Sequence, residues 1–283
     1  MEEEQARGRQ RVYSGTDVKI SPEGGLMSIT SFVLKMAAPV PRILDYERFL
    51  FIGPHPDDIE IGAGATVAKL TALGRKVTFL ICIDGRFGLE YAPKGTTPEE
   101  LAAIRREESI RAAKILGVDD VRFLGFKDGG LYAFDELYTA MARALGEIKP
   151  EVIFAPDPVV SSECHTDHLN VGEAARRLAY FAPFKEIMEA YGAEMAPIEA
   201  IAYYMTARPN RYMKVSGFTG RQFEAIEAHK SQFPADSEAY KSVRTYLKLR
   251  TFDFGLRSLS GKAEGFRVLG RTQMHCLPEA GLK

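Results

Sequence analysis

The sequence predicts an α/β fold in which a mostly parallel sheet is covered by helices on both faces. Three observations predict it. Short apolar runs alternate with longer segments of helical character from Arg48 onward. The helical segments carry their own start and stop signals. Polar, chemistry-bearing residues cluster just after the apolar runs, where open parallel sheets place their ligands.

The elements follow in order. Phe49-Leu50-Phe51-Ile52 is an apolar run ending at Gly53-Pro54, a buried strand. Ile61 to Leu73 reads as a helix stopped by Gly74. Lys76 to Ile83 is a second buried strand. Thr97-Pro98-Glu99-Glu100 opens a long helix with threonine at the N-cap, proline at N1 and glutamate at N3, a capping box. That helix runs to Leu116 and ends at Gly117. Val121 to Phe126 is a third strand, Glu136 to Ile148 a helix, Val152 to Ala155 a fourth strand. A further helix spans about Asp167 to Tyr180. Strands separated by helices pair in parallel through right-handed crossovers, which makes the sheet Rossmann-like. After about residue 198 the rhythm loosens. Ala200 to Met205 and Tyr212 to Val215 read as strands, Arg221 to Gln232 as a helix, and Phe266 to Leu269 as a late strand. The expectation is one domain over 45–283, its C-terminal third adding strands and helices to the same sheet. Residues 1–44 read as a partly flexible extension. The stretch Met27 to Val40 is broken by Ser28, Thr30 and Lys35, unlike the apolar core of a secretory signal.

Composition narrows the function. Lys+Arg is 37 and Asp+Glu is 38, a formal net charge of −1, which offers no footprint for nucleic acid or an anionic membrane. Apolar runs such as Phe79 to Ile83 fall far short of the roughly 20 residues of a membrane helix. Cys82, Cys164 and Cys276 show no paired spacing, so reduced thiols and a cytoplasmic location are expected. Only five histidines occur, His55, His165, His168, His229 and His275, and three of them lie in two short motifs.

The first motif is His55-Pro56-Asp57-Asp58. Adjacent carboxylates repel unless a cation or proton lies between them. Imidazole plus carboxylate suits zinc. His55 and Asp58 can share one ion if the loop curls, leaving Asp57 as a base; the plainer reading is a solvated turn with an aspartate cap. The second motif is His165-Thr166-Asp167-His168, which can present two rings to one cleft or simply be a capped helix start. Two histidines and one carboxylate are the ligand count of a catalytic zinc with a position left for water. Asp84-Gly85-Arg86, Asp128 and Pro156-Asp157-Pro158 add polar groups after the other strands. Gly62-Ala63-Gly64-Ala65 looks superficially like a dinucleotide loop but lacks the third glycine at the required offset.

His55-Pro56-Asp57-Asp58-Ile59-Glu60 after a strand, with the downstream His165-Thr166-Asp167-His168, resembles the PIG-L/LmbE-like family of zinc-dependent N-deacetylases. Ile104 to Glu108, Ile115-Leu116-Gly117, Phe123-Leu124-Gly125 with Asp128, and His229-Lys230-Ser231-Gln232 extend the resemblance. Phe154 to Pro158, Ala202-Tyr203-Tyr204, Pro209-Asn210 and Glu264 to Arg267 are most similar to the diacetylchitobiose deacetylase branch. Coverage is about residues 48–275. Thr166 stands where that branch usually has proline, Arg86 where the wider family is often acidic, and Cys164 beside His165 is unexpected.

The resemblance implies that His55, Asp58 and His168 bind one zinc per subunit and that Asp57 is the general base. It implies that His165 stabilises the oxyanion, with Asp167 holding its charge and orientation, and that Arg105 and Asp128 contact the sugar. His275 is a candidate to reach a site, including a neighbour's. His229, among Phe223, Ile226 and Phe233, reads as a core histidine. The expected reaction is removal of acetyl from an N-acetylglucosamine unit of a chito-disaccharide or small glycoside. The alternatives are deacetylation of a GlcNAc-malate-type thiol precursor, or metal binding without turnover. The resemblance suggests trimers or hexamers, for which Tyr203, Tyr204, Tyr212, Phe218, Phe252 and Phe254 offer interface candidates that are equally candidates for the core.

Overall fold

A computed structural model describes residues 36–277, together with Val33. Among the described residues, seven strands form one sheet: β1 (Arg48–Gly53), β2 (Lys76–Ile83), β3 (Asp120–Phe126), β4 (Val152–Pro156), β5 (Ala200–Tyr204), β6 (Arg211–Lys214) and β7 (Ala263–Gly270). Their order is β3-β2-β1-β4-β5-β7-β6. The first five are parallel, while β7 runs antiparallel to both β5 and β6. The helices are α1 (Asp58–Ala72), α2 (Pro98–Ile115), α3 (Phe134–Ile148), α4 (Thr166–Phe181), α5 (Lys185–Ala190), α6 (Thr219–Glu227) and α7 (Glu238–Arg257).

This topology positions the chemistry. The chain leaves β1 toward β2 and β3, then returns to place β4 on the other side of β1, with Phe49 opposite Val152 and Phe51 opposite Phe154. The carboxyl ends of β1 and β4 therefore lie side by side at the switch point of the sheet. The first motif follows β1 and the second follows β4, so 109 residues of chain are folded away between His55 and His165.

Alternation along the strands builds a core on each face. Phe49, Phe51, Phe79, Phe154 and Phe266 point to one side, with Phe51 stacked on Phe154 at 4.2 Å. Leu50, Ile52, Leu80, Ile153 and Tyr203 point to the other, under α3 and α4. Burying such large side chains stabilises by about 1.5–3 kcal/mol each. The capping box of α2 forms as predicted: Glu100 N–H donates to Thr97 Oγ1 at 3.2 Å and Thr97 N–H donates to Glu100 Oε2 at 2.8 Å. Thr97→Ala is expected to destabilise by about 1 kcal/mol, read from the shift of the urea midpoint at unchanged slope.

The structure departs from the sequence reading in several places, the unread short helix α5 among them. The first helix begins at Asp58, not Ile61, so the second aspartate of the motif is already helical. The helix predicted to Gln232 stops at Glu227, and His229 lies in the turn beyond it. The late strand is twice its predicted length. The 20-residue helix α7 is missed altogether. Its apolar residues are spread around the axis, with Tyr240, Leu247 and Phe254 buried but Tyr246, Leu249, Phe252 and Leu256 exposed, so no single stripe marks it. Of the aromatic interface candidates, Tyr203, Tyr204 and Phe254 are core residues and Phe252 is exposed.

Most of the extension expected at 1–44 lies outside the described residues. From Ala38 the chain is held against the sheet: Gln273 Nε2 donates to Ala38 O, and Arg211 donates to Val40 O and Pro41 O. No described helix is long and apolar enough to cross a membrane.

Candidate active site

Asp57 occupies the junction between β1 and α1 with φ of +117°. Few non-glycine residues adopt positive φ, and such strain persists only where the surroundings enforce it. Arg105, reaching in from α2, does the enforcing. Its Nη2 donates to Pro56 O at 2.7 Å and Asp57 Oδ2 at 2.9 Å, and its Nη1 donates to Gly85 O at 2.8 Å. Burial pushes the Asp57 carboxyl up to about 6, and Arg105 opposes that rise.

One residue on, Asp58 turns the other way. Its Oδ2 accepts the His55 N–H at 2.8 Å and lies 3.4 Å from His55 Nδ1 and 3.3 Å from His168 Nε2. Burial works against its charge, yet the two imidazoles hold it well below the usual carboxylate range. Ligand atoms of His55, Asp58 and His168 all lie within 4.8 Å of one another. A tetrahedral zinc with bonds of about 2.0–2.2 Å would set its donors about 3.3–3.6 Å apart. The two measured separations match that edge, so the donor set fits a divalent ion of this kind.

The far nitrogen of His55 faces two more carboxylates. Nε2 lies 3.2 Å from Asp128 Oδ1 and 3.1 Å from Asp167 Oδ2. Burial opposes protonation of His55, but Asp128, Asp167 and Asp58 together raise it well above the ordinary imidazole range. Asp128 also accepts Phe87 N–H. Asp167 is fully buried and accepts from Gly129 N, Gly130 N and Tyr132 Oη, all within 2.9 Å. It is not the helix cap that its sequence position allowed. His165 takes that place, its Nδ1 accepting the Asp167 N–H at 3.3 Å. With Nδ1 in the accepting place, Nε2 is the ring nitrogen left to donate. The ring is half-exposed and stands edge-on to His55 at 4.8 Å.

The structure thus gathers His55, Asp57, Asp58, Asp128, His165, Asp167 and His168 at one end of the sheet. Arg105 joins them but is buried, its Nη2 spent on the Asp57 loop and its Nη1 on Gly85 O after β2. His275 does not join them among the described contacts: its exposed ring stacks on Tyr180 at 5.2 Å. His229 is fully buried, with Nε2 at 3.3 Å from Glu60 Oε1. The rest of its motif is a brace, since Glu108 accepts from Ser231 N and Oγ, and Gln232 Nε2 donates to Gly88 O. Arg86 is held by Asp84 and Glu99. Asp157 accepts from Thr206 Oγ1 at 2.6 Å. Cys164 is exposed and outside both histidine–carboxylate groups. The glycines that looked like a dinucleotide loop have a packing reason. A Cβ on Gly62 would lie 2.3 Å from the Tyr204 ring, and one on Gly64 would lie 3.0 Å from Gln222. Tyr132 and the Gly129-Gly130 amides, which fix Asp167, carry no signal in the sequence beyond a turn.

Residues 50–179 match the PIG-L family, GlcNAc-PI de-N-acetylase. A diacetylchitobiose deacetylase of Thermococcus kodakarensis is 31% identical over 239 residues, 83% of this chain and 88% of that protein. A probable N-acetyl-alpha-D-glucosaminyl L-malate deacetylase 2 of Bacillus anthracis is 28% identical over 65% of this chain and 80% of its own length. Among solved structures, the N,N'-diacetylchitobiose deacetylase of Pyrococcus horikoshii, complexed with an inhibitor, superposes with a TM-score of 0.81 at 27% identity. The superposition covers 92% of this chain and all of that one. With the fold, the paired histidine–aspartate motifs and these relatives in agreement, the chain belongs to the PIG-L family of de-N-acetylases.

Proposed function

We propose that this protein is a zinc-dependent hydrolase that removes the acetyl group from an N-acetylglucosamine unit of a chito-disaccharide or similar small glycoside. One observation carries the reading: His55, Asp58 and His168 converge on one point while the neighbouring Asp57 is turned away and clamped by Arg105. A protein that only bound metal would have no use for a strained, buried, partly neutralised second aspartate. Similarity to the Thermococcus and Pyrococcus deacetylases supports the chitobiose-type substrate. The Bacillus relative supports the GlcNAc-malate alternative.

When bound at His55, Asp58 and His168, a zinc ion supplies polarisation of the amide carbonyl and acidification of a water. Asp57 would accept, on its carboxylate, the proton released by the attacking water. Burial favours the neutral carboxyl, so Asp57 holds the proton until the leaving amine nitrogen takes it. His165 offers Nε2–H to the oxyanion from the half-exposed rim. Asp167 and Asp128 orient His55 through its far nitrogen, a second layer that fixes ligand tautomer. We further propose one zinc per chain, a cytoplasmic location, and self-association that covers exposed apolar residues of α7 such as Leu249 and Phe252.

His55 and His168 both titrate above the ordinary imidazole range once Asp58 and, for His55, its other carboxylates outweigh burial. Both rings must lose a proton to bind metal. Zinc uptake is therefore expected to release protons, and zinc affinity to fall as pH is lowered. Calorimetry in buffers of different ionisation enthalpy measures both.

The test of function is amine release from N-acetylglucosamine, N,N'-diacetylchitobiose and a GlcNAc-malate conjugate by the zinc-loaded protein. Diacetylchitobiose is expected to be cleaved fastest. Fastest release from the malate conjugate would favour the alternative, and no release from any acetamido sugar would overturn the reading.

A further inference from the structure

Glu163 lies in the loop between β4 and α4. Its carboxylate lies against both histidines of the second motif. Oε1 accepts the His165 N–H at 2.8 Å, and Oε2 lies 3.2 Å from His168 Nδ1. The loop is itself closed by Glu163 N–H donating to Val160 O at 3.0 Å. His168 Nε2 is the nitrogen that faces Asp58 and the converging donors. Nδ1, at the opposite side of the ring, is buried and makes no hydrogen bond among the described residues, and the Glu163 carboxylate lies beside it at ion-pair distance. Glu163 also lines a cavity of about 220 Å³ walled by Tyr246, Arg250 and Phe254 of α7, so it stands between that cavity and the metal-binding ring.

We propose that Glu163 is a positioning residue for the metal centre, fixing through Nδ1 the tautomer and ring orientation that aim His168 Nε2 at the ion. The inference rests on the reading of His168 as a ligand. Outer carboxylates on ligating histidines have this effect generally, fixing the tautomer and raising ligand basicity. Here one carboxylate does more than that, because its second oxygen holds the backbone of His165. The two histidines of the second motif are thus set by a single side chain five residues before one and two before the other. The helix start holds the His165 ring through the Asp167 N–H but makes no such contact with the His168 ring.

The test is zinc affinity of the metal-free full chain, by competition with a chromophoric chelator and without substrate. Glu163→Ala is expected to weaken binding about 10–100-fold, and Glu163→Gln, which keeps an acceptor oxygen for Nδ1–H, to lose less. Ser162→Ala, in the same loop, is expected to match wild type. In the nitrogen-labelled holoprotein, Glu163→Ala is also expected to move the His168 ring resonances and Glu163→Gln to restore them in part. Circular dichroism confirms that each variant is folded; should Glu163→Ala not fold, the comparison of Glu163→Gln with Ser162→Ala decides. Unchanged affinity in the folded glutamate variants, or an equal loss in Ser162→Ala, overturns the proposal while leaving the deacetylase reading intact. Failure of the wild type to bind zinc overturns both.

Discussion

Asp57→Asn is expected to lower kcat about 10³-fold while the protein keeps its fold and its zinc. General-base removal costs about 10²–10⁴-fold, and this base has no substitute in reach: Asp58 is taken by two imidazoles, and Asp128 and Asp167 by His55. Asparagine is the right replacement for a structural reason. The residue sits at φ of +117°, which asparagine tolerates better than alanine or a branched side chain. Its amide oxygen can still accept from Arg105 while its nitrogen takes no proton from water. Zinc content by mass spectrometry and the melting temperature should stay near wild type, and loss of zinc instead would show that Asp57 is a ligand.

Arg105→Met is expected to damage both stability and catalysis. Removing one partner of a buried ion pair costs about 3–5 kcal/mol, and here it also frees Pro56 O and Gly85 O from their donor. Asp57 would answer by rising further above its present value of about 6, because the cation that opposes burial is gone. A base works in its ionised form, so the acid limb of the activity profile should move to higher pH. Arg105→Lys keeps the charge but offers one donor centre to acceptors in three directions, and partial rescue is expected. These outcomes separate two roles for Arg105. A residue that only touched the sugar would raise KM and leave the melting temperature and the acid limb in place; one that holds the base lowers kcat and moves both.

The parallel half of the fold is legible because its strands are short apolar runs closed by glycine or proline, and its helices carry caps. Thr97, Gly74 and Gly117 mark boundaries within a residue or two of where they fall. The antiparallel return of β7 is not legible, since a strand's direction depends on what it meets. The helix α7 is missed because Tyr246, Leu249, Phe252 and Leu256 face solvent among its buried residues and blur the period. The two histidine–aspartate motifs are legible as residue types, and the rule that ligands gather at strand ends joins them across the sheet. What sequence spacing does not carry is the direction of a side chain. Asp128 and Asp167 turn to the far nitrogen of His55, Arg105 turns inward onto Asp57, and Glu163 reaches His168, each a contact between separate elements or around a loop. Glycines with no catalytic part, such as Gly62 under the Tyr204 ring, carry a packing constraint that only the neighbouring strand explains.

The most direct test removes metal from the protein with a chelator and adds zinc back in steps, following acetate release from N,N'-diacetylchitobiose, with Asp57→Asn treated in parallel. Activity should vanish on metal removal, return in proportion to zinc, and level off at one ion per chain, the capacity of the His55, Asp58 and His168 site. The variant should bind the same ion and stay about 10³-fold slower. Full activity in the metal-free protein, or in Asp57→Asn, would contradict the account.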